Sequence, residues 1–195
     1  MVAMYFLIIM RVFMILSGLD AGTSFGGMGS SREAMISALT EPIILLCLFT
    51  SAIITNTMYL GAISATLASN PTMMLEPSLF LAFFAFFIAT LAENARVPFD
   101  NPATHLELTM VHEAMLIEYS GKQLGLMEYS SWIKHLIFFS ILANAFFPLG
   151  IAVDLSLTSI LVGIGAYLIK IFVIALIVAF IESSIAKLRL FQVPN

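Results

Sequence analysis

Five runs of predominantly apolar residues, at about 2–19, 36–57, 77–95, 132–152 and 157–181, constrain this chain more than any other feature. Each is close to the roughly 20 residues that an α-helix needs to cross the hydrocarbon of a bilayer. The runs are continuous and lack the period-two alternation of barrel strands, so they predict helices. Of the 195 residues, 61% are hydrophobic and 10% are charged. A soluble domain carries roughly a quarter charged residues, and an apolar excess of this size cannot be hidden in one soluble core. The expected fold is an all-α integral membrane protein: a single membrane domain over 1–195, with about five transmembrane helices in the lipid bilayer.

The connections between runs set the expected orientation. Segments 58–76 and 153–156 contain no Lys or Arg, whereas the others carry Arg32, Arg96, Lys122 and the tail cations Lys187 and Arg189, with Lys134 at the same end. Cation-bearing connections face the cytoplasm. The loop 93–131 and the C-terminus are therefore expected to be cytoplasmic and the N-terminus outside, in the cell (inner) membrane. The first run has no basic residue before its apolar stretch, since its first cation is Arg11, so it reads as a membrane helix rather than a signal peptide. Pro77 suits a helix start, and Pro98 and Pro102 end the third helix. Gly18, Gly22, Gly26, Gly27 and Gly29 predict a flexible first connection.

Charges within spans are costly and normally face a partner or water. They are Arg11, Glu41, Glu93, Lys170 and Glu182. Arg11 suits a pair with a carboxylate or a backbone carbonyl inside a helix bundle as well as it suits a functional role. Glu41 precedes Pro42 near the start of the second run, where a first-turn acid is favoured by the helix dipole, although it lies several residues inside the apolar region. Lys170 sits near the centre of the fifth run. Burial disfavours a charged ammonium, which suits proton transfer, and a structural ion pair is the competing explanation. Glu93 and Glu182 lie at helix ends, where solvated charges are ordinary.

Half of the chain's twelve carboxylates fall between Glu93 and Glu128: Glu93, Asp100, Glu107, Glu113, Glu118 and Glu128. Residues 103–119 contain no Pro or Gly, which predicts a helix. Glu107 and Glu118 are eleven residues apart, an offset of about 20° at roughly 100° per residue, so they share a face. Neighbouring carboxylates perturb one another and can pass protons. A solvated helix with a wet acidic face accounts for the same pattern.

Several chemistries are excluded. His112-Glu113 opens like a zinc-protease helix, but Leu116 stands where the second histidine belongs. His105 and His112 lack a third ligand. The stretch Gly22–Gly29 lacks the Gly-Lys-Ser/Thr ending of a phosphate loop. The single cysteine, Cys47, lies in an apolar run and supports neither a disulfide nor an iron–sulfur site. There is no basic patch for nucleic acid.

The loop sequence carries a resemblance. Residues Glu93 to Asp100 (ENARVPFD) and Asn101 to Gly121 (NPATHLELTMVHEAMLIEYSG) resemble the proton-channel membrane subunit of complex I, the one at the junction with the hydrophilic arm. They are more similar to the corresponding subunit of energy-converting, group 4 [NiFe] hydrogenases, including formate hydrogenlyase and hydrogenase-4 types. Ser17 to Glu33, Glu41-Pro42 and Lys170 through Leu190 extend the resemblance over nearly the whole chain. Complex I members tend to carry acids where this chain has Ala103 and His105, which weakens a quinone-binding reading. The chain corresponds to the central part of an eight-helix family, from the third helix to the seventh.

The resemblance implies a non-catalytic subunit of an oxidoreductase complex, with no cofactor of its own. Nickel–iron and iron–sulfur centres are expected in partners, namely hydrogenase large and small subunits, with antiporter-like membrane subunits alongside. It implies a path for protons or sodium through Glu41, Glu93, Asp100, Glu107, Glu113 and Glu118, extended by Lys170 and Glu182, with Arg96 orienting the loop acids. Two other readings remain: a complex I subunit forming part of a quinone chamber, and a stand-alone ion transporter.

Overall fold

The computed structural model describes residues 2–96, 99, 111–151 and 156–184. Among them every regular element is a helix: α1 Val2–Asp20, α2 Ser24–Thr55, α3 Leu60–Ser69, α4 Pro77–Glu93, α5 His112–Leu116, α6 Gly121–Phe146 and α7 Leu157–Ser184, with a 3₁₀ turn at Pro71–Leu75. Helices α1, α4 and α7 coincide closely with the first, third and fifth apolar runs. Helices α2 and α7 are each long and apolar enough to cross a bilayer, and α3 and α4 are shorter apolar helices.

Two expectations are corrected. The glycine-rich connection is helical from Ser24 onward, so only a short turn separates α1 from α2. Gly22, at φ +64°, makes that turn in the left-handed region where glycine is favoured. Gly26 and Gly29 serve close packing instead of flexibility, whereas Gly27 faces open space. A Cβ on Gly26 would lie 2.5 Å from the carbonyl oxygen of Gly18, and one on Gly29 would lie 2.9 Å from both the Ala114 Cβ and the Val111 carbonyl oxygen. Small residues of this kind let helix backbones approach, as they do in membrane bundles. The second correction follows from the first. Glu41 is no first-turn acid but lies mid-helix, and Pro42 sits inside α2, where it removes the N–H that would bond to the carbonyl of Ala38.

The chain forms two compact units. The first comprises Met1–Pro42, Leu91–His135 and Ile181–Asn195; the second comprises Ile43–Thr90 and Leu136–Phe180. In the first, α5 packs on α1 and α2. Val111, Ala114 and Met115 are buried, the Ser30 hydroxyl donates to the Ile15 carbonyl at 3.1 Å, and the Tyr119 hydroxyl donates to the Ser17 carbonyl at 2.9 Å. Residues Val111, Ala114 and Met115 are therefore part of a packed core, while Ile117 and Glu118 are exposed.

The second unit has an apolar core of Ile44, Leu48, Leu67, Phe86, Phe138, Leu142 and Phe146. Phe83 meets Phe146 and Phe147 edge to face, with ring centroids 5.8 and 4.9 Å apart. The Ser64 hydroxyl reaches the carbonyl of Asn144 at 2.8 Å. Helix α7 contributes little to this core. Val178 is its buried residue, and Leu161, Val162, Leu168, Phe172 and Phe180 are exposed.

Candidate functional site

The polar core of the first unit is built on one face of α2. Glu33, Ser37 and Thr40 follow one another at helical spacing and are all buried. The same face becomes apolar at Ile44 and Leu48. Arg11 enters from the middle of α1, where its guanidinium Nη2 donates to Glu33 Oε1 at 2.6 Å. Its Nη1 pairs with Glu93 Oε2, at the end of α4. Lys134, on α6, closes the group: its Nζ lies 3.5 Å from Glu93 Oε1 and donates to the Glu93 backbone carbonyl at 2.7 Å. The Thr40 hydroxyl donates to Glu93 Oε2 at 2.8 Å.

The four charged side chains are at most 7% exposed. Isolated charges at such depth are very costly, and two cations facing two carboxylates remove the net charge. Both carboxylates pair with Arg11, so the quartet is one connected group of alternating charge. The end of α4 supports this arrangement. The Arg96 N–H bonds to the Leu91 carbonyl at 2.9 Å and the Ala95 N–H to the Ala92 carbonyl at 3.2 Å. This is a Schellman cap with Ala95, at φ +49°, in the left-handed position that glycine usually takes.

The cap delivers Arg96 to a second group. Its Nη1 pairs with Glu182 Oε1 at 3.2 Å, and its Nε donates to His135 Nε2 at 3.0 Å. An arginine has no acceptor, so the His135 ring proton sits on Nδ1, which lies 2.7 Å from the Ser131 carbonyl. This group is about one-third exposed. It is therefore wetter and weaker than the quartet.

The structure brings some of the sequence-derived residues together. Glu93 joins the buried quartet, and Arg96 joins Glu182. Glu41 accepts a hydrogen bond from the Ser37 hydroxyl at 2.8 Å, one turn along the face that carries the quartet. Glu118 is exposed. Lys170 belongs to the second unit, with no ion pair among the described residues. Asp100 and Glu107 lie outside the described residues, and Glu113 falls on α5, its side chain outside them. Glu33, Thr40, Lys134 and His135 were not singled out from sequence. The stripe Glu33–Ser37–Thr40–Ile44 is the available signal, and it begins where the glycines predict a flexible connection. Among the described residues, no group of three or more His, Cys, Asp or Glu side chains is placed to hold a metal ion.

Residues 1–195 match the NADH dehydrogenase family. The chain belongs to that family. This NADH dehydrogenase family member is 34% identical to formate hydrogenlyase subunit 4 of Escherichia coli over 192 residues, which cover 98% of this chain and 61% of that protein. It is 34% identical to hydrogenase-4 component C of the same organism over 187 residues, covering 95% of this chain and 57% of that protein. A subunit of the NADH-quinone oxidoreductase of Syntrophotalea carbinolica is 30% identical over 135 residues, covering 67% of this chain and 36% of that protein. The chain thus spans about three fifths of the length of the two hydrogenase relatives.

Proposed function

We propose that this chain is the membrane-anchor and ion-coupling subunit of a membrane-bound [NiFe] hydrogenase complex. In this reading it docks hydrogenase large and small subunits at loop 93–131, beside antiporter-like membrane subunits. It links hydrogen evolution to translocation of protons or sodium. In the same reading the chain crosses the membrane five times, with the N-terminus outside and the loop and C-terminus in the cytoplasm. The observation that carries the reading is the 34% identity to a formate hydrogenlyase and a hydrogenase-4 component along nearly the whole chain.

The coupling role draws support from the buried charges. Glu33 and Glu93 share one guanidinium, and Glu41 stands on the same α2 face. Coupling needs an element whose charge state differs between two conditions, and carboxylates tied to a common cation provide one. In this reading Asp100, Glu107, Glu113 and Glu118 form the loop part of the path and Glu182 and Lys170 continue it, with Arg96 orienting its charged groups. The nickel–iron and iron–sulfur centres reside in the partner subunits.

The match to an NADH-quinone oxidoreductase subunit favours a second reading, a complex I-like subunit contributing part of a quinone chamber. Affinity purification of the tagged protein from its native membranes separates the two. The hydrogenase reading expects hydrogenase large and small subunits and hydrogen-evolving activity in the preparation. Quinone-reductase activity without hydrogenase activity would replace it with the second. Ion flux from this chain alone in liposomes would overturn both in favour of a stand-alone transporter.

A further inference from the structure

The second unit contains a cleft of about 350 Å³ between the end of α6 and the first turns of α7. Ile160, Gly163, Tyr167 and Lys170 line it from α7, and Asn144 and Gly150 line it from the other side. The α7 residues recur at three- and four-residue intervals and so share one helix face. Gly163 presents no side chain to the cleft, and small residues of this kind are common where membrane helices pack closely. Tyr167 is fixed by a 2.5 Å hydrogen bond between its hydroxyl and that of Ser140.

Lys170 distinguishes this cleft from an ordinary lipid-facing groove. It is half-buried and has no carboxylate partner among the described residues, whereas Arg11, Arg96 and Lys134 each have one. Ionisable residues inside spans pair with one another or face water. The helix that bears Lys170 is apolar and exposed along nearly all its length. A lipid headgroup does not match this position: α7 runs from Leu157 to Ser184, so Lys170 lies near its middle rather than at a headgroup level.

We propose that this cleft receives a transmembrane helix of a partner subunit, and that an Asp or Glu within that helix pairs with Lys170. The inference rests on the multisubunit reading above and deepens it. The path through this chain would leave it at Lys170 and continue on the partner's carboxylate. Gly163 admits the incoming backbone, and Asn144 and Tyr167 border the pair with polar groups.

The test uses the intact complex in native membranes. A photoreactive amino acid replaces Ile160 or Ile164, both at the cleft, and mass spectrometry identifies what is captured on illumination. The expected product is a membrane-spanning peptide of another subunit with an Asp or Glu within about one turn of the cross-link. Lys170→Met is expected to lower the yield of that product by roughly tenfold or more, because it strands the partner's buried carboxylate. Lys170→Arg is expected to retain it. Exchanging the charges, with Lys170→Glu and lysine at the partner's acidic position, is expected to restore it. Capture of lipid alone, of another segment of this same protein, or of a partner helix without such an acid overturns the proposal. So does an unchanged yield in Lys170→Met. The readout identifies the neighbour whatever complex it comes from, so failure of the hydrogenase assignment would appear separately, in the identities of the co-purifying subunits.

Discussion

Removing one cation from the buried quartet should cost more than any surface change, and restoring the charge balance should recover much of that cost. Lys134→Met keeps side-chain bulk and deletes the ammonium that lies 3.5 Å from Glu93 Oε1. At an effective dielectric of about 20, a unit pair at that distance is worth about 5 kcal/mol. The variant also loses the 2.7 Å hydrogen bond to the Glu93 carbonyl. Methionine gains back the cost of burying an ammonium, so the net loss falls to about 3–5 kcal/mol, the range for breaking a buried pair. The remaining group, Arg11 with Glu33 and Glu93, carries one excess negative charge. Glu33→Gln alone leaves one excess positive charge and should cost a similar amount. The double variant leaves Arg11 facing Glu93 in balance, and it should cost at least about 2 kcal/mol less than the sum of the singles. Denaturant midpoints in detergent micelles for the four proteins of this cycle measure that coupling. Additive effects, or single variants costing under about 1 kcal/mol, would refute the quartet as a balanced buried unit.

Other perturbations probe the supports of the site. Ala95→Gly relieves the left-handed strain in the α4 cap and should leave stability unchanged or raise it by up to about 1 kcal/mol, whereas Ala95→Val should cost about 2 kcal/mol; paired melting curves test both. Gly29→Leu pushes a side chain into Ala114 and the Val111 carbonyl, so it should cost about 1–3 kcal/mol by overpacking and speed proteolysis around residues 111–119. Glu182→Gln breaks a partly exposed pair with Arg96 and should cost less than about 1 kcal/mol in the same melts.

Some elements were legible in the sequence because lipid imposes a simple rule. The limits of α1, α4 and α7 follow the apolar runs, and Pro77 opens α4. The need of Arg11 for a carboxylate or carbonyl partner was also readable, and the structure supplies Glu33, Glu93 and the Glu93 backbone. Other features depend on tertiary contact. Local propensity reads the Gly- and Ser-rich segment after Gly22 as a loop, but Gly26 and Gly29 make room for α1 and α5, and the segment becomes the first turns of α2. Segment 58–76 lacks cations and was read only as a connection; it holds α3, which is too short to span. Glu33 and Lys134 carry no local sign of burial because their partners are distant in sequence. Arg11 and Glu33 are 22 residues apart, and Lys134 and Glu93 are 41 apart. No periodicity within one helix encodes such pairings.

The central claim is that carboxylates of this chain couple hydrogenase chemistry to ion movement. It is tested most directly by ion uptake into inverted membrane vesicles during hydrogen evolution, compared among the wild-type complex, Glu107→Gln and Glu118→Gln. The account expects hydrogen-driven uptake in the wild type, and uptake reduced to background in the variants while their subunits remain assembled. Wild-type uptake in both variants, or hydrogen evolution without uptake in the wild-type complex, would contradict it.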